Sequence, residues 1–333
     1  MKQKKKEDRK FWLFMVAALV AGVLYLMWGQ RNSAMTLYDL GFLRYRAAEQ
    51  LSQVETWSIP IADSGAYEEA VAEAAEWASA QEQETGSYVT ETAAGYFGET
   101  AKLTLDYTLY GPETGRTVIL LHGFCESASD SLLWASFWQE QGYRVLIPVQ
   151  RGYADPGDKN YTPTTYGVYE EFDLYDLIHA LGLGEETVVI HGRGAGAAGA
   201  ILLAANENLA AAGVDGIVAE SVYDNLGETE RALVKQLFSL GDNFVGRFLR
   251  ETVRKRLGFE ADSVDLCAAA ENLNTPVLFL CSAEDGFLGA ARTEKVSAAC
   301  ASEKILRHLQ GAYRTLWLKD GENYRAAISE FLG

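Results

Sequence analysis

Val188-Val189-Ile190-His191-Gly192-Arg193-Gly194-Ala195-Gly196 is the stretch on which the fold turns. A short run of β-branched residues bounded by glycine is the pattern of a buried parallel strand. The Ala- and Leu-rich run from Gly196 to Ala205 that follows favours helix. Between them lies a tight strand-to-helix turn, whose flanks need small residues because the two backbones crowd there. Gly192 and Gly196 meet that need, and Gly194 stands at the centre. The glycine spacing superficially matches a dinucleotide loop, but no convincing acidic ribose-binding partner follows, and such a motif alone is weak.

Outward from the turn, helical and extended stretches alternate. Leu103, Leu105, Tyr107 and Leu109 alternate with polar or small residues, and Gly111 to Gly115 form a turn. Strands are expected at Thr117 to Leu121, Tyr143 to Pro148, Thr187 to His191, Gly216 to Ala219, Val277 to Cys281 and Ile305 to Leu309. Helices are expected at Leu132 to Gln141, Val168 to Leu181, Gly196 to Ala205 and Asn323 to Leu332, with a long Gly/Pro/Tyr/Thr loop from Arg151 to Gly167. The fold class is α/β: a mostly parallel central sheet with helices on both faces. An insertion at about 227–272 carries Leu233, Leu237, Leu240, Phe244, Phe248 and Leu249, the pattern of a small helical cap over the carboxyl ends of the strands.

The N-terminal part reads differently. Residues 11–28 form an uncharged apolar run with Trp12 near one edge and Tyr25 and Trp28 near the other. At helical rise, eighteen residues span about 27 Å, close to the thickness of a thin bilayer core. Residues 1–10 form a basic tail with six Lys or Arg and two acidic residues. That asymmetry predicts a single-pass anchor in the cell membrane, with a cytoplasmic N-terminus and an extracytoplasmic main domain. A cleaved signal peptide is the alternative, but its apolar stretch is usually shorter and ends at a small-x-small site; a buried core helix is another. Residues 29–86 read as a helical membrane-proximal segment that spaces the domain from the bilayer or packs against its side. The domain itself is expected at 87–333.

Formal net charge is -17, and the chain beyond residue 10 holds 23 basic against 44 acidic residues. Such a surface repels phosphate backbones, so nucleic acid is a poor partner. Cys125, Cys267, Cys281 and Cys300 are widely spaced and match no metal-site pattern. No metal or cofactor is expected.

Several landmarks, in order, resemble those of the α/β-hydrolase superfamily, in particular membrane-anchored serine hydrolases of Gram-positive bacteria with lipase- and peptidase-like relatives. Leu120-Leu121-His122-Gly123-Phe124 resembles the strand end and oxyanion loop, and Gln150-Arg151-Gly152-Tyr153-Ala154 the loop after the next strand. Glu171 and Asp173 sit in the following helix much as in that family. Gly192-Arg193-Gly194-Ala195-Gly196 resembles the G-x-S-x-G elbow, Ser221-Val222-Tyr223-Asp224 a following loop, and Thr275 to Leu280 with Ala283-Glu284-Asp285 the strand and acidic loop.

The resemblance places Gly194 at the nucleophile, Asp285 at the acid, and Arg314, within Gln310-Gly311-Ala312-Tyr313-Arg314, at the histidine. Glycine has no nucleophilic atom, and arginine stays protonated near neutral pH. Moving the frame by one puts Arg193 or Ala195 at the centre, which changes nothing. Cys125, Ser127, Ser221 and Ser282 are nucleophiles by proximity alone. Of the four histidines, His122, His179 and His191 read as structural, leaving His308 as a displaced base. Three functions follow as expectations: a degenerate, inactive hydrolase that binds a ligand or protein; an ester or amide hydrolase with a displaced nucleophile; or a purely structural membrane-side protein with a filled cleft. For the first, Phe124, Cys125, Arg193, Gly194, Ala195 and Tyr223 would line the pocket. Arg193 and Arg314 would favour an anionic or acyl-bearing ligand.

Overall fold

The computed structural model describes residues 64–90, 102–124, 126–152, 164–238, 254 and 258–333. The apolar segment 11–28, Cys125 and the middle of the 227–272 insertion lie outside these residues. Among the described residues no helix is long and apolar enough to cross a membrane.

Eight strands form one sheet: β1 Gln83–Thr90, β2 Leu103–Tyr110, β3 Arg116–Leu121, β4 Arg144–Pro148, β5 Thr187–Arg193, β6 Val214–Glu220, β7 Val277–Cys281 and β8 Lys304–His308. Their order is β1-β2-β4-β3-β5-β6-β7-β8. The β1–β2 and β2–β4 pairs are antiparallel, and every other pair is parallel. The helices are α1 Ser64–Ser79, α2 Ala128–Ser131, α3 Ala135–Glu140, α4 Glu170–Ala180, α5 Ala195–Ala205, α6 Leu226–Phe238, α7 Leu266–Ala270, α8 Ala290–Ala299, α9 Leu316–Lys319 and α10 Gly321–Leu332.

Strand side chains alternate between two cores, as the two-residue period requires. Ile119 and Leu121 of β3, Ile190 of β5 and Phe279 of β7 join a core with Leu174 and Leu177 of α4 and Ile201 of α5. Val118 and Leu120, Val189, and Leu278 and Leu280 face the opposite core, with Trp134, Trp138 of α3, and Tyr324 and Ile328 of α10. Helices therefore cover both faces, as the alternating elements predict.

One element departs from the sequence reading. The sheet begins at Gln83, ahead of residue 87, because β1 pairs along its whole length with β2. Of the two roles expected for the segment before the sheet, helix α1 packs against the domain: Tyr67 and Ala78 are buried in the second core, and Trp77 packs against Tyr110 at 6.3 Å between ring centres. Of the expected cap, α6 and α7 are helical and an isolated bridge joins Asn225 to Asp265.

Candidate functional site

At the end of β5 the chain turns sharply into α5 with Gly194 at φ +52°, ψ −109°. Few L-residues adopt this conformation, and a side chain held there projects over the helix start. Gly194 N donates to the Glu220 carbonyl at 2.8 Å, tying the turn to the end of β6. The flanks are small by necessity. A Cβ on Gly192 would lie 2.5 Å from Ala197 N, and one on Gly196 2.6 Å from Leu121 Cβ. The elbow is thus intact as a backbone device while its central side chain is absent.

The space over that centre is taken. A Cβ at Gly194 would lie 2.8 Å from both Phe124 Cδ2 and the Tyr313 hydroxyl. The same hydroxyl accepts a 2.9 Å hydrogen bond from Phe124 N, the backbone donor of the loop after β3. It also lies 2.3 Å from where a Cβ on Gly123 would be, so only glycine lets it in. Around it Phe124 packs on Tyr166, Phe287 and Tyr223 at 5.0, 5.5 and 6.1 Å, and Phe287 on Tyr313 at 5.1 Å. All five rings are buried. Among the described residues, a cavity beside the elbow lined by Tyr88, Leu121, Glu170, Leu174, Gly196 and Gly199 among others measures about 10 Å³. That holds one water and no acyl chain.

Beneath the elbow lies a buried ionic network. Arg193 donates from Nε to Glu220 at 2.6 Å and from Nη1 to Glu126 at 3.0 Å. Arg314 donates from Nη2 to Asp130 at 2.8 Å, and its Nε lies 3.3 Å from Glu126 Oε1. Glu126 Oε2 accepts from Gly123 N at 2.8 Å, fixing the loop that carries Phe124. Tyr324 donates to Glu220 Oε2 and meets His191 Nε2 at 2.9 Å, while His191 Nδ1 accepts from Trp138 Nε1 at 2.9 Å. Both guanidinium groups also sit over aromatic rings, Arg193 over Trp134 and Arg314 over Tyr67.

Solved structures share this arrangement of strands and turns. The esterase Pf2001 of Pyrococcus furiosus superposes with a TM-score of 0.57 at 18% identity, covering 76% of this chain and 92% of that one. A thermophilic esterase from Thermogutta terrifontis gives 0.50 at 18% identity, covering 75% and 98%. The chain has the α/β-hydrolase fold. In sequence, this α/β-hydrolase-fold chain is similar to the uncharacterized protein YqkD of Bacillus subtilis, 25% identical over 262 residues, spanning 76% of this chain and 81% of that protein. No family model matches it.

Within this α/β-hydrolase fold the sequence-named residues fall as follows. Arg314, expected at the histidine position, has φ +74° and turns its side chain into the network. The residue of that loop that reaches Gly194 is its neighbour Tyr313. Arg193 is fully buried and engaged by two carboxylates, so it does not face a cleft as an anion-binding group would. Ala195 starts α5, and Tyr223 donates its hydroxyl to the Tyr166 carbonyl at 2.7 Å. Asp285 Oδ1 accepts from Phe287 N and Leu288 N, both at 2.9 Å, and so shapes the loop that carries Phe287. Ser127 donates to Asp130 Oδ2 at 2.9 Å. Ser221 is buried at φ +48°, and among the described residues its hydroxyl has no hydrogen-bond partner. His308 faces Cys281 Sγ at 3.6 Å and Glu294 at 3.6 Å. In this line of thiol, imidazole and carboxylate, burial, then Glu294 and Asp285, push the Cys281 thiol up to about 12. Ser282, also named by proximity, accepts at Oγ from Glu284 N at 3.1 Å. No group of three metal-ligating side chains occurs among the described residues.

The Arg314–Asp130, Arg193–Glu126 and Arg193–Glu220 pairs join residues that no local pattern brings together, 184, 67 and 27 positions apart. Burial pulls the Arg193 guanidinium down, but Glu126 and Glu220 outweigh it and hold it charged. Burial lowers His191, and Arg193 adds to that, so the ring is neutral. Burial also pushes the Glu126 carboxyl up to about 7, against the pull of Arg193 and with the help of Asp130.

Glu126 therefore makes stability depend on pH. Below about 4.5 the group is protonated in folded and unfolded chains alike. Between 4.5 and 7 the unfolded chain releases the proton that the folded one keeps, so stability falls as pH rises through that window. Burial lowers His122 to about 4, which gives the opposite slope below 6.5. The contrast is therefore drawn between wild type and Glu126→Gln. Urea melts at pH 5, 6, 7 and 8 should show the variant gaining on wild type steadily from pH 5 to 7 and levelling off above. A constant difference across the series excludes a raised Glu126.

Proposed function

We propose that the protein is a catalytically inactive α/β-hydrolase-fold protein, held in the cell membrane by residues 11–28 with residues 64–333 on the extracytoplasmic side, and that it acts by binding a partner protein through its surface. The observation that carries the inactive reading is the Tyr313 hydroxyl seated on Phe124 N, within 2.8 Å of where a side chain at Gly194 would begin. A serine elbow works by presenting a hydroxyl beside backbone donors that stabilise a developing oxyanion. Here the hydroxyl is missing from the elbow, and a tyrosine fills the donor. The acidic extracytoplasmic part disfavours nucleic acid, and the closed cleft disfavours an acyl-bearing ligand at Gly194.

Ester turnover tests this reading. Full-length protein in detergent should hydrolyse short- and medium-chain aryl esters no faster than the Gly194→Val variant, whose larger side chain excludes any reaction at the elbow. Turnover above that level, abolished by substitution of Ser127, Ser221 or Cys125, overturns it. Orientation has its own readout: protease added outside intact cells should digest the domain and spare the N-terminal tail.

A further inference from the structure

Tyr313 does not sit in the oxyanion position by itself. Gly311 at φ +111° and Arg314 at φ +74° bend the backbone on either side of it. A non-glycine residue in the left-handed region persists only where its surroundings hold it. For Arg314 those surroundings are Asp130, Glu126 and the ring of Tyr67, whose centre lies 4.8 Å from the guanidinium carbon. Asp130 is itself shared. Its Oδ1 accepts from the Tyr67 hydroxyl at 2.6 Å and from Arg314, and its Oδ2 from Ser127 N and Ser127 Oγ. Tyr67 thus supports Arg314 twice, by its ring directly and by its hydroxyl through Asp130. It lies in the first turn of α1, the element that leads from the N-terminal segment into the domain.

We infer that helix α1 is a latch on the closed site: Tyr67 holds Asp130 and Arg314, these hold the Gly311–Arg314 bend, and the bend seats Tyr313 on Phe124 N. The inference rests on the closed reading of the Gly194 cleft given above and adds its control. Displacement of α1 removes the ring beneath Arg314 and one donor from Asp130, relaxes the bend, and lets the phenol leave. What it exposes is the Phe124 N–H beside the start of α5, an eleven-residue helix whose first amides are oriented toward negative charge. The ligand class suited to the vacated position is a small carboxylate. The tyrosine then acts as an internal stand-in for that ligand, and α1 sets whether it stays.

Amide hydrogen exchange at Phe124, read by NMR on the full-length chain in detergent, tests the latch without any substrate. The probe ligand is acetate. Wild type should protect the Phe124 amide and show no acetate-dependent shift there. Tyr67→Phe, which keeps the ring and loses one hydrogen bond, should speed exchange about tenfold. Tyr67→Ala should speed it further and make the Phe124 resonance move on acetate addition. Val296→Ala, a core truncation in α8 outside α1 and the Asp130 network, is the control for general destabilisation. The latch is excluded if Tyr67→Ala raises Phe124 exchange no more than Val296→Ala does at matched global stability. An unprotected Phe124 amide in wild type contradicts the closed site itself, which is a separate outcome from failure of the latch.

Discussion

Arg193→Leu should cost the domain about 3–5 kcal/mol, the scale for breaking one member out of a buried ion pair. Leucine fills much of the volume, so the loss is electrostatic. Glu126 and Glu220 are both fully buried and both receive hydrogen bonds from this one guanidinium. Without it, two carboxylates face each other's surroundings with Tyr324, Gly123 N and Arg314 as remaining partners. In a domain of this size that loss lowers the melting temperature by on the order of 10 °C. Arg193→Lys should recover little, because a single ammonium does not span two carboxylates as the fork does. Well above pH 7, where Glu126 gives up its proton, Glu126→Gln added to Arg193→Leu should restore part of the loss, since one stranded charge is then gone. Calorimetry on the three proteins checks this. A melting temperature for Arg193→Leu within about 2–3 °C of wild type, well short of that shift, shows that the network is not what secures the elbow.

Gly194→Ser is the second large effect, and restoring the missing hydroxyl should not restore chemistry. Its Cβ would press on Phe124 Cδ2 and the Tyr313 hydroxyl at 2.8 Å, and on Phe124 Cε2 at 3.1 Å. Overpacking of this kind costs about 1–3 kcal/mol. The serine would find no base, because the ring that reaches it is a phenol. Tyr313→Ala in the same chain should relieve the strain, so the two changes together cost less than their sum by about 1 kcal/mol or more, as expected for side chains in contact. The choice of partner also separates two readings of the loop. Gly194→Ser with Tyr313→His places an imidazole at the residue that meets the elbow and should give measurable ester hydrolysis above Gly194→Ser alone. Gly194→Ser with Arg314→His should give none and should be less stable, because it removes Asp130's charged partner. Activity in the second pair and not the first would show that Arg314, not Tyr313, stands in for the lost base.

Much of this fold is written in local patterns. The glycines at 192 and 196 announce a strand-to-helix turn because no other residue fits against Ala197 N and Leu121 Cβ. Apolar runs marked β3, β4, β5, β6 and β7, whose buried faces leave little polar alternation. Strand β1 was harder to read. Its burial alternates only toward the end, at Tyr88 and Thr90, so Gln83 to Ser87 look like loop. Helix α8 hides for a related reason, its buried face being Thr293, Val296 and Ser297.

That residue 194 carries no nucleophilic atom is legible in the sequence, but what fills the space over it is not. Counting along Gln310 to Arg314 puts Arg314 at the site, whereas the left-handed turn at that residue swings its side chain away and presents Tyr313. Arginine in a sequence also reads as a surface or ligand-facing group. Only the fold reveals that Arg193 and Arg314 are enclosed by Glu126, Asp130 and Glu220, because those carboxylates come from β6 and from the loop and helix after β3.

A closed Gly194 cleft without an activated nucleophile predicts how the protein meets covalent probes. Intact mass after incubation with a fluorophosphonate, and separately with iodoacetamide at pH 7, tests it on the unmodified full-length chain. A closed, serine-free elbow leaves the fluorophosphonate-treated mass unchanged, and iodoacetamide adds mass only at a rate that matches unactivated cysteines. Stoichiometric phosphonylation at Ser127 or Ser221, or rapid alkylation of Cys125, accompanied by loss of ester turnover, would contradict it.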